Sequence, residues 1–443
     1  MERDSWATRL GFILAAVGSA VGLGNMWRFP YVVSEGGGAA LVVLYLAIVA
    51  LVGLPLMTAE FAIGRLSQES PLVAVRRLGG PRWAPLGWLF VACGFGILSY
   101  YAVIAGWTMR YAFDAVRNAI PADTAAYFGE VSAGTSSVVC HVLFMAVTIW
   151  IVVQGVRKGL ERSVLVMMPI LFLLLLGLAI WASTMEGGSA GYAYYLKPNL
   201  EAMGRPGILA EAAGQAFFSL SLGMGALMTY ASYLRSKENL GREATTVALT
   251  DFGVAFVAGL VVFPVIAAFA LRDEVGESAV GALFIALPKA FEGLGMVGSI
   301  VDTAFFVLLF VAALSSSISL LEVVVTATID RWGWRRGRAA VLVGGIVTLL
   351  GVPSAFNLDF LDAMDKLLGN FLLLVGGLGI SLLVGWRLFD RADAELAQGL
   401  SSPGLRKGWG VLLRFVAPVI LVAVLLSSLP ATWESIQGLL GLS

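Results

Sequence analysis

Gly18-Ser-Ala-Val-Gly-Leu-Gly-Asn-Met-Trp-Arg-Phe-Pro30 places three glycines, at 18, 22 and 24, inside an apolar run that begins near residue 10. Each glycine costs a helix interior about 1 kcal/mol. At bilayer depth an interrupted backbone persists only where it lines a cavity or is buried in protein. A second interruption, Ser219-Leu-Ser-Leu-Gly-Met-Gly225, falls in a later apolar run. Two Gly-interrupted segments in corresponding places of two halves point to a ligand site between those halves. Glycine also permits close helix packing, and for Gly11, Gly36, Gly37 and Gly38 that reading suffices. Gly18, Gly22 and Gly24 stand beside Ser19 and Asn25, polar groups that need partners at such depth.

The composition makes lipid the main solvent. Of 443 residues, 59% are hydrophobic and 13% charged, against about a quarter charged in a soluble domain. The 29 basic and 29 acidic residues cancel, which leaves no electrostatic footprint for a nucleic acid. Cys93 and Cys140 sit in apolar stretches without metal-ligand or disulfide spacing, and the single histidine, His141, has no partner for catalysis in the sequence. No nucleophile-base pair or phosphate loop suggests an enzyme, and no organic cofactor is expected. Met1-Glu-Arg-Asp-Ser-Trp6 carries acids and no small-residue cleavage site, so the first apolar run reads as a span and not a signal peptide.

A helix needs about 20 apolar residues to cross the hydrocarbon core. Eleven runs qualify, at roughly 10–33, 39–64, 86–116, 137–155, 161–182, 208–234, 244–270, 298–328, 339–354, 366–388 and 408–429. The expected architecture is an all-α membrane protein forming one polytopic domain over 1–443. Breaks five spans apart suggest an inverted five-plus-five repeat, 10–182 and 208–388, followed by an eleventh helix at 408–429. Alternate loops on one side hold 20 Lys and Arg and those on the other hold eight. Basic residues favour the cytoplasm, so the N-terminus is expected inside and the C-terminus outside an inner, cell membrane. Of the long outer loops, 183–207 and 271–297, the second contains a helix-like Ser278-to-Leu287 stretch that suggests a lid.

Several motifs together resemble the neurotransmitter:sodium symporter family, in particular its bacterial amino-acid members. They are Trp6-Ala-Thr-Arg-Leu-Gly11, Gly18 to Pro30, Gly36 to Gly38 and Pro55-Leu-Met-Thr-Ala-Glu-Phe-Ala-Ile-Gly-Arg65. The likeness continues through Tyr100-Tyr101, Gly214-Gln-Ala-Phe-Phe-Ser219, Thr229-Tyr-Ala-Ser-Tyr233 and Ser315-Ser-Ser317. The resemblance implies a LeuT-type fold with the first and sixth helices unwound at the midplane. It also implies sodium-coupled symport of an amino acid, with the lipid bilayer and two sodium ions as the other partners. A proton-coupled transporter and a nontransporting amino-acid sensor on the same fold are the alternatives.

The resemblance further implies where each ligand goes. One sodium site would use Gly18, Val21, Ala312, Ser315 and Ser316, which fits the preference of hard cations for oxygen; without the resemblance, the serines could equally be packing residues. The other would use Ala20, Asn25 and Ser219, with either Thr250 or Asp251 and the substrate carboxylate. An acid inside a membrane is expensive and defaults to function, and its charge beside sodium implies chloride independence. Gly22 stands where monoamine carriers have an Asp, which leaves room for a substrate carboxylate. The substrate pocket implied is Ser19, Ala20, Gly22, Ile97, Tyr101, Phe218, Ser219, Ser221, Met224, Ser316 and Leu320. It holds no charge, so neutral, mainly apolar amino acids are expected. Arg28 with Asp365 would latch the outer gate and Arg3 with Asp330 the inner one, with Trp6 packed near Tyr233 and Ser232. Snorkelling and topological charge roles are the simpler readings of those residues. Glu60 and Glu322, also within spans, would brace the broken helices or carry protons.

Overall fold

The computed structural model describes residues 4–197, 201–205, 207–234, 238–271 and 282–439. Every regular element among them is helical. Helix α1 (Arg9–Ala20) and helix α2 (Phe29–Glu35), joined through the π-turn Gly24–Arg28, form a pair bent by 47°. The later spans are α3 (Ala39–Ser67), α4 (Pro81–Val116), α5 (Gly134–Val153) and α6 (Val156–Ser183). Two short helices, α7 (Ile208–Ser219) and α8 (Ala226–Ala231), follow. The chain then runs through α9 (Leu240–Ala268), α10 (Met296–Trp332), α11 (Arg336–Phe356), α12 (Leu358–Arg387) and α13 (Pro403–Pro430). Among the described residues, nine helices are long and apolar enough to cross a membrane, or ten with the bent pair taken as one span. The remaining expected run, 208–234, is built from α7 and α8, neither of which is long enough alone.

Local chemistry explains the key ends. Thr8 caps α1 by accepting from the Gly11 amide at 2.9 Å. Glu161, at the start of α6, accepts from the Ala7 and Thr8 amides at 2.7 and 3.0 Å. Glu161 thereby ties the segment that leads into α1 to the start of α6. Between α7 and α8 the backbone turns through Gly223 and Gly225, at φ 76° and 74°, a region that side chains disfavour. The Glu60 carboxylate of α3 accepts from the freed Gly223 amide at 2.9 Å. Of the two roles read for Glu60, the brace is the one this contact supplies.

The core is a ring of long helices around these interruptions. Helix α10 is buried over most of its length and packs against α1, α4 and α6. The outer faces carry exposed Leu173, Leu349 and Val419, at 70, 71 and 70% exposure, as expected where lipid replaces water.

In the loop 271–297, residues 278–281 of the suggested lid lie outside the described residues. Its continuation, Ala282–Ala286, is pinned to α4 and to the short helix Thr124–Ser132: the Tyr111 hydroxyl of α4 donates to the Phe284 carbonyl and Thr124 to that of Ile285, both at 3.0 Å. The loop 183–207 contains a helix, Ser189–Leu196, whose Tyr195 donates to the Phe256 carbonyl on α9 at 3.0 Å.

Candidate substrate and ion sites

The chain leaves helical geometry after Ala20 and again after Ser219, and the two breaks face each other. Ser221, at φ 53°, donates to the Ser19 carbonyl at 2.7 Å. Gln215 donates to the Gly24 carbonyl at 3.0 Å, so side chains of the second interrupted segment satisfy carbonyls freed in the first. Sequence reasoning missed Gln215, although an amide side chain in an apolar run was the signal.

Between the breaks lies a narrow cavity with about 340 Å³ of empty space. Ser19, Ala20, Gly22, Ile97, Tyr101, Phe218, Ser221, Met224, Ser316 and Leu320 line it, together with Gly24. None of these is charged. Ser219, which the resemblance grouped with the pocket, does not line it; its hydroxyl accepts from Asn25 Nδ2 at 3.1 Å and donates to Asp251 at 2.8 Å. A β-carbon at Gly22 would collide with Ser316 Oγ and lie 3.1 Å from the Tyr101 hydroxyl. Tyr101 accepts from the Leu23 amide at 3.2 Å, which holds its hydroxyl at the cavity wall.

On one side of the cavity the carbonyls of Gly18, Val21 and Ala312 and the hydroxyls of Ser315 and Ser316 bring five oxygens together, with the Ser19 carbonyl beside them. Ser315 Oγ lies 3.4 Å from the Val21 carbonyl and 2.9 Å from that of Ala312. Ser316 Oγ lies 3.4 Å from the carbonyls of Gly18, Ser19 and Val21. A hard cation holding oxygens at roughly 2.4 Å sets neighbours at right angles about 3.4 Å apart. The long serine contacts therefore match ligand spacing better than optimal hydrogen bonds, which run near 2.8 Å.

On the other side stands a buried carboxylate. Asp251 of α9 accepts from Asn25 Nδ2 at 2.7 Å and from Ser219 Oγ at 2.8 Å. Tyr45 of α3 donates to the same carboxylate at 3.2 Å. Thr250 is turned away: its hydroxyl donates to the Thr246 carbonyl at 2.7 Å within its own helix. One residue along a helix rotates a side chain by 100°, so only one of the pair can face α1. Asp251 does.

Arg28 and Asp365 are arranged differently from the expected latch. Arg28 donates to Asn370 and lies 4.8 Å from the centre of the Phe218 ring; it forms no ion pair with Asp365. Asp365 instead accepts from the Tyr100 hydroxyl at 2.9 Å. The cause is local, because Asp365–Leu372 is a π-turn that brings Asn370 round to the face expected of Asp365.

On the opposite side Arg3 lies outside the described residues, so its pairing with Asp330 is not seen, and Asp330 accepts from the Ser70 amide. Trp6 donates to the Tyr230 carbonyl at 2.9 Å and meets the Tyr233 ring edge-on at 6.1 Å. A further cation, Arg336, grips both oxygens of buried Glu322 at 2.8 Å and reaches Asp4 at 3.2 Å. Tyr233 donates to the same Glu322. This cluster ties α10 and α11 to the chain after α8 and to the N-terminal segment.

A model of the Sodium:neurotransmitter symporter family matches residues 3–129 and 127–436. An uncharacterized sodium-dependent transporter of Methanocaldococcus jannaschii is 35% identical over 96% of this chain and 90% of its own. Another, from Bacillus subtilis, is 34% identical over 95% of this chain and 97% of its own. The crystal structure of MhsT in complex with L-phenylalanine superposes with a TM-score of 0.89 at 42% identity, covering 96% of this chain and 100% of MhsT.

Proposed function

The chain belongs to the Sodium:neurotransmitter symporter family, and from that premise we propose that it carries neutral, mainly apolar amino acids into the cell together with sodium. Membership makes it a multi-pass, sodium-dependent transporter with a LeuT-type fold. The finer reading rests on one observation: an uncharged cavity lies directly between a five-oxygen cluster and a buried carboxylate.

In this reading the substrate carboxylate occupies the space left by Gly22, within reach of the Tyr101 hydroxyl. The interrupted ends of α1 and α7 supply amide and carbonyl groups to the two charged ends of the amino acid. Ile97, Phe218, Met224 and Leu320 receive its side chain, and a methionine wall adapts to different shapes. The neighbouring MhsT was crystallised with L-phenylalanine, which favours large apolar side chains here.

Two sodium ions accompany the substrate. One sits among Gly18, Val21, Ala312, Ser315 and Ser316. The other sits by Ala20, Asn25 and Ser219, next to Asp251 and the substrate carboxylate, so each ligand strengthens binding of the other. Asp251 supplies the negative charge that makes chloride dispensable.

Alternating access follows from which contacts cross between helices. Arg28 and Phe218 cover the cavity on one side, and the Trp6, Tyr233, Glu322 and Arg336 cluster seals the other. The N-terminus lies in the cytoplasm, so the second cluster is the inner seal. Sodium titration of labelled phenylalanine and leucine binding to purified protein tests this reading. Binding that rises with sodium and not with potassium supports it; binding indifferent to sodium removes it.

A further inference from the structure

An apolar groove with about 1210 Å³ of empty space runs outside the transport core, between α3, the start of α9 and α13. Leu54, Leu249, Leu400, Leu405, Trp409 and Leu412 form its wall. Leu249 and Leu405 are 59 and 63% exposed, so this face opens outward to the bilayer.

The polar side chains in the wall are already satisfied. Thr58, Thr245 and Thr246 donate to carbonyls of their own helices at 2.8 to 2.9 Å. Trp409 donates to the Pro55 carbonyl at 3.0 Å. Asn239 donates to Gly399 at 2.7 Å and accepts from the Arg242 amide at 3.0 Å. Arg242 is the exception. It is the single charged residue lining the groove, it stands in the first turn of α9, and among the described residues no carboxylate pairs with it. The occupant of such a groove needs a long apolar body and one anionic end.

We propose that this groove binds an anionic glycerophospholipid, with an acyl chain along the leucine wall and its phosphate on Arg242. A guanidinium is well suited to phosphate oxygens. Basic pockets between membrane helices are recognised sites for acidic headgroups. The site also abuts the moving parts. Glu243, the next residue, holds Arg9 at the start of α1 at 2.8 Å, and α9 carries Asp251. A lipid bridging α9 and α13 would therefore steady the helix on which the buried carboxylate is mounted.

The test uses purified full-length protein exchanged into mixed micelles of phosphatidylglycerol or phosphatidylcholine with identical acyl chains, with retained lipid counted by native mass spectrometry. Retention of phosphatidylglycerol in preference to phosphatidylcholine is expected. Arg242→Gln should reduce that preference about fivefold, the effect of one basic residue on an anionic lipid. Gly408→Phe places a ring in the groove, where a β-carbon meets no atom within 4 Å, and should expel one lipid of either kind. Equal retention of the two lipids, an unchanged preference in Arg242→Gln, or an unchanged lipid count in monodisperse Gly408→Phe would each overturn the proposal. None of these readouts requires transport, so they stand apart from the fate of the proposed substrate.

Discussion

Asn25 on the interrupted first span donates through its side-chain amide to Asp251 on α9 at 2.7 Å. The contact joins a backbone break to a buried carboxylate, the group that stands beside the sodium ion in the proposed reading. A carboxylate at this depth is costly unless something positive or several donors face it. Asn25, Ser219 and Tyr45 are the donors present.

Asp251→Asn keeps the shape and removes the charge. We expect sodium-dependent substrate binding to fall at least tenfold in chloride-free buffer and to recover when chloride is added. Comparing binding in chloride and gluconate salts checks this; equal loss in both would mean that Asp251 acts through geometry alone.

Gly22→Ala should remove amino-acid binding while leaving a folded protein, because the new methyl collides with Ser316 Oγ beside the Tyr101 hydroxyl. An elution profile like that of the parent with binding down by tenfold or more is the expected pair of results.

Ser315→Ala and Ser316→Ala each take one hydroxyl oxygen from the five-oxygen cluster. A hydrogen-bond-sized contact to a charge is worth about 1.5–3 kcal/mol, so half-saturating sodium should rise by roughly ten- to hundredfold. A sodium titration of binding in each variant measures the shift, and maximal binding at saturating sodium should change little.

Arg336→Met leaves Glu322 buried without its cation. Breaking a buried pair in this way costs roughly 3–5 kcal/mol, so the melting temperature should drop. The inner seal should loosen with it. A cysteine placed at Thr326, which lines the adjoining vestibule, should label faster in sodium than it does in the parent.

Much of this arrangement is legible in the amino-acid sequence, for a physical reason. Glycines and small polar residues are costly inside an apolar span, so Gly18, Gly22, Asn25 and Ser219 mark themselves. Partners chosen by helix rotation leave no such mark. Thr250 and Asp251 are adjacent, and which one faces α1 depends on a rotation that composition does not encode.

The resemblance pairs Arg28 with Asp365, yet the π-turn at Asp365–Leu372 shifts the face and offers Asn370. Arg336 read as one of several basic loop residues fixing orientation. Its bidentate grip on Glu322 depends on α10 and α11 lying side by side. Tyr45 on Asp251 and Gln215 on Gly24 likewise join segments about 200 residues apart in sequence.

Uptake in proteoliposomes tests the central claim most directly. With sodium outside and potassium inside, labelled phenylalanine or leucine should accumulate above its outside concentration, and an ionophore that collapses the sodium gradient should release it. Accumulation that is the same with potassium on both sides, or absent for every neutral amino acid tried, would contradict sodium-coupled amino-acid symport.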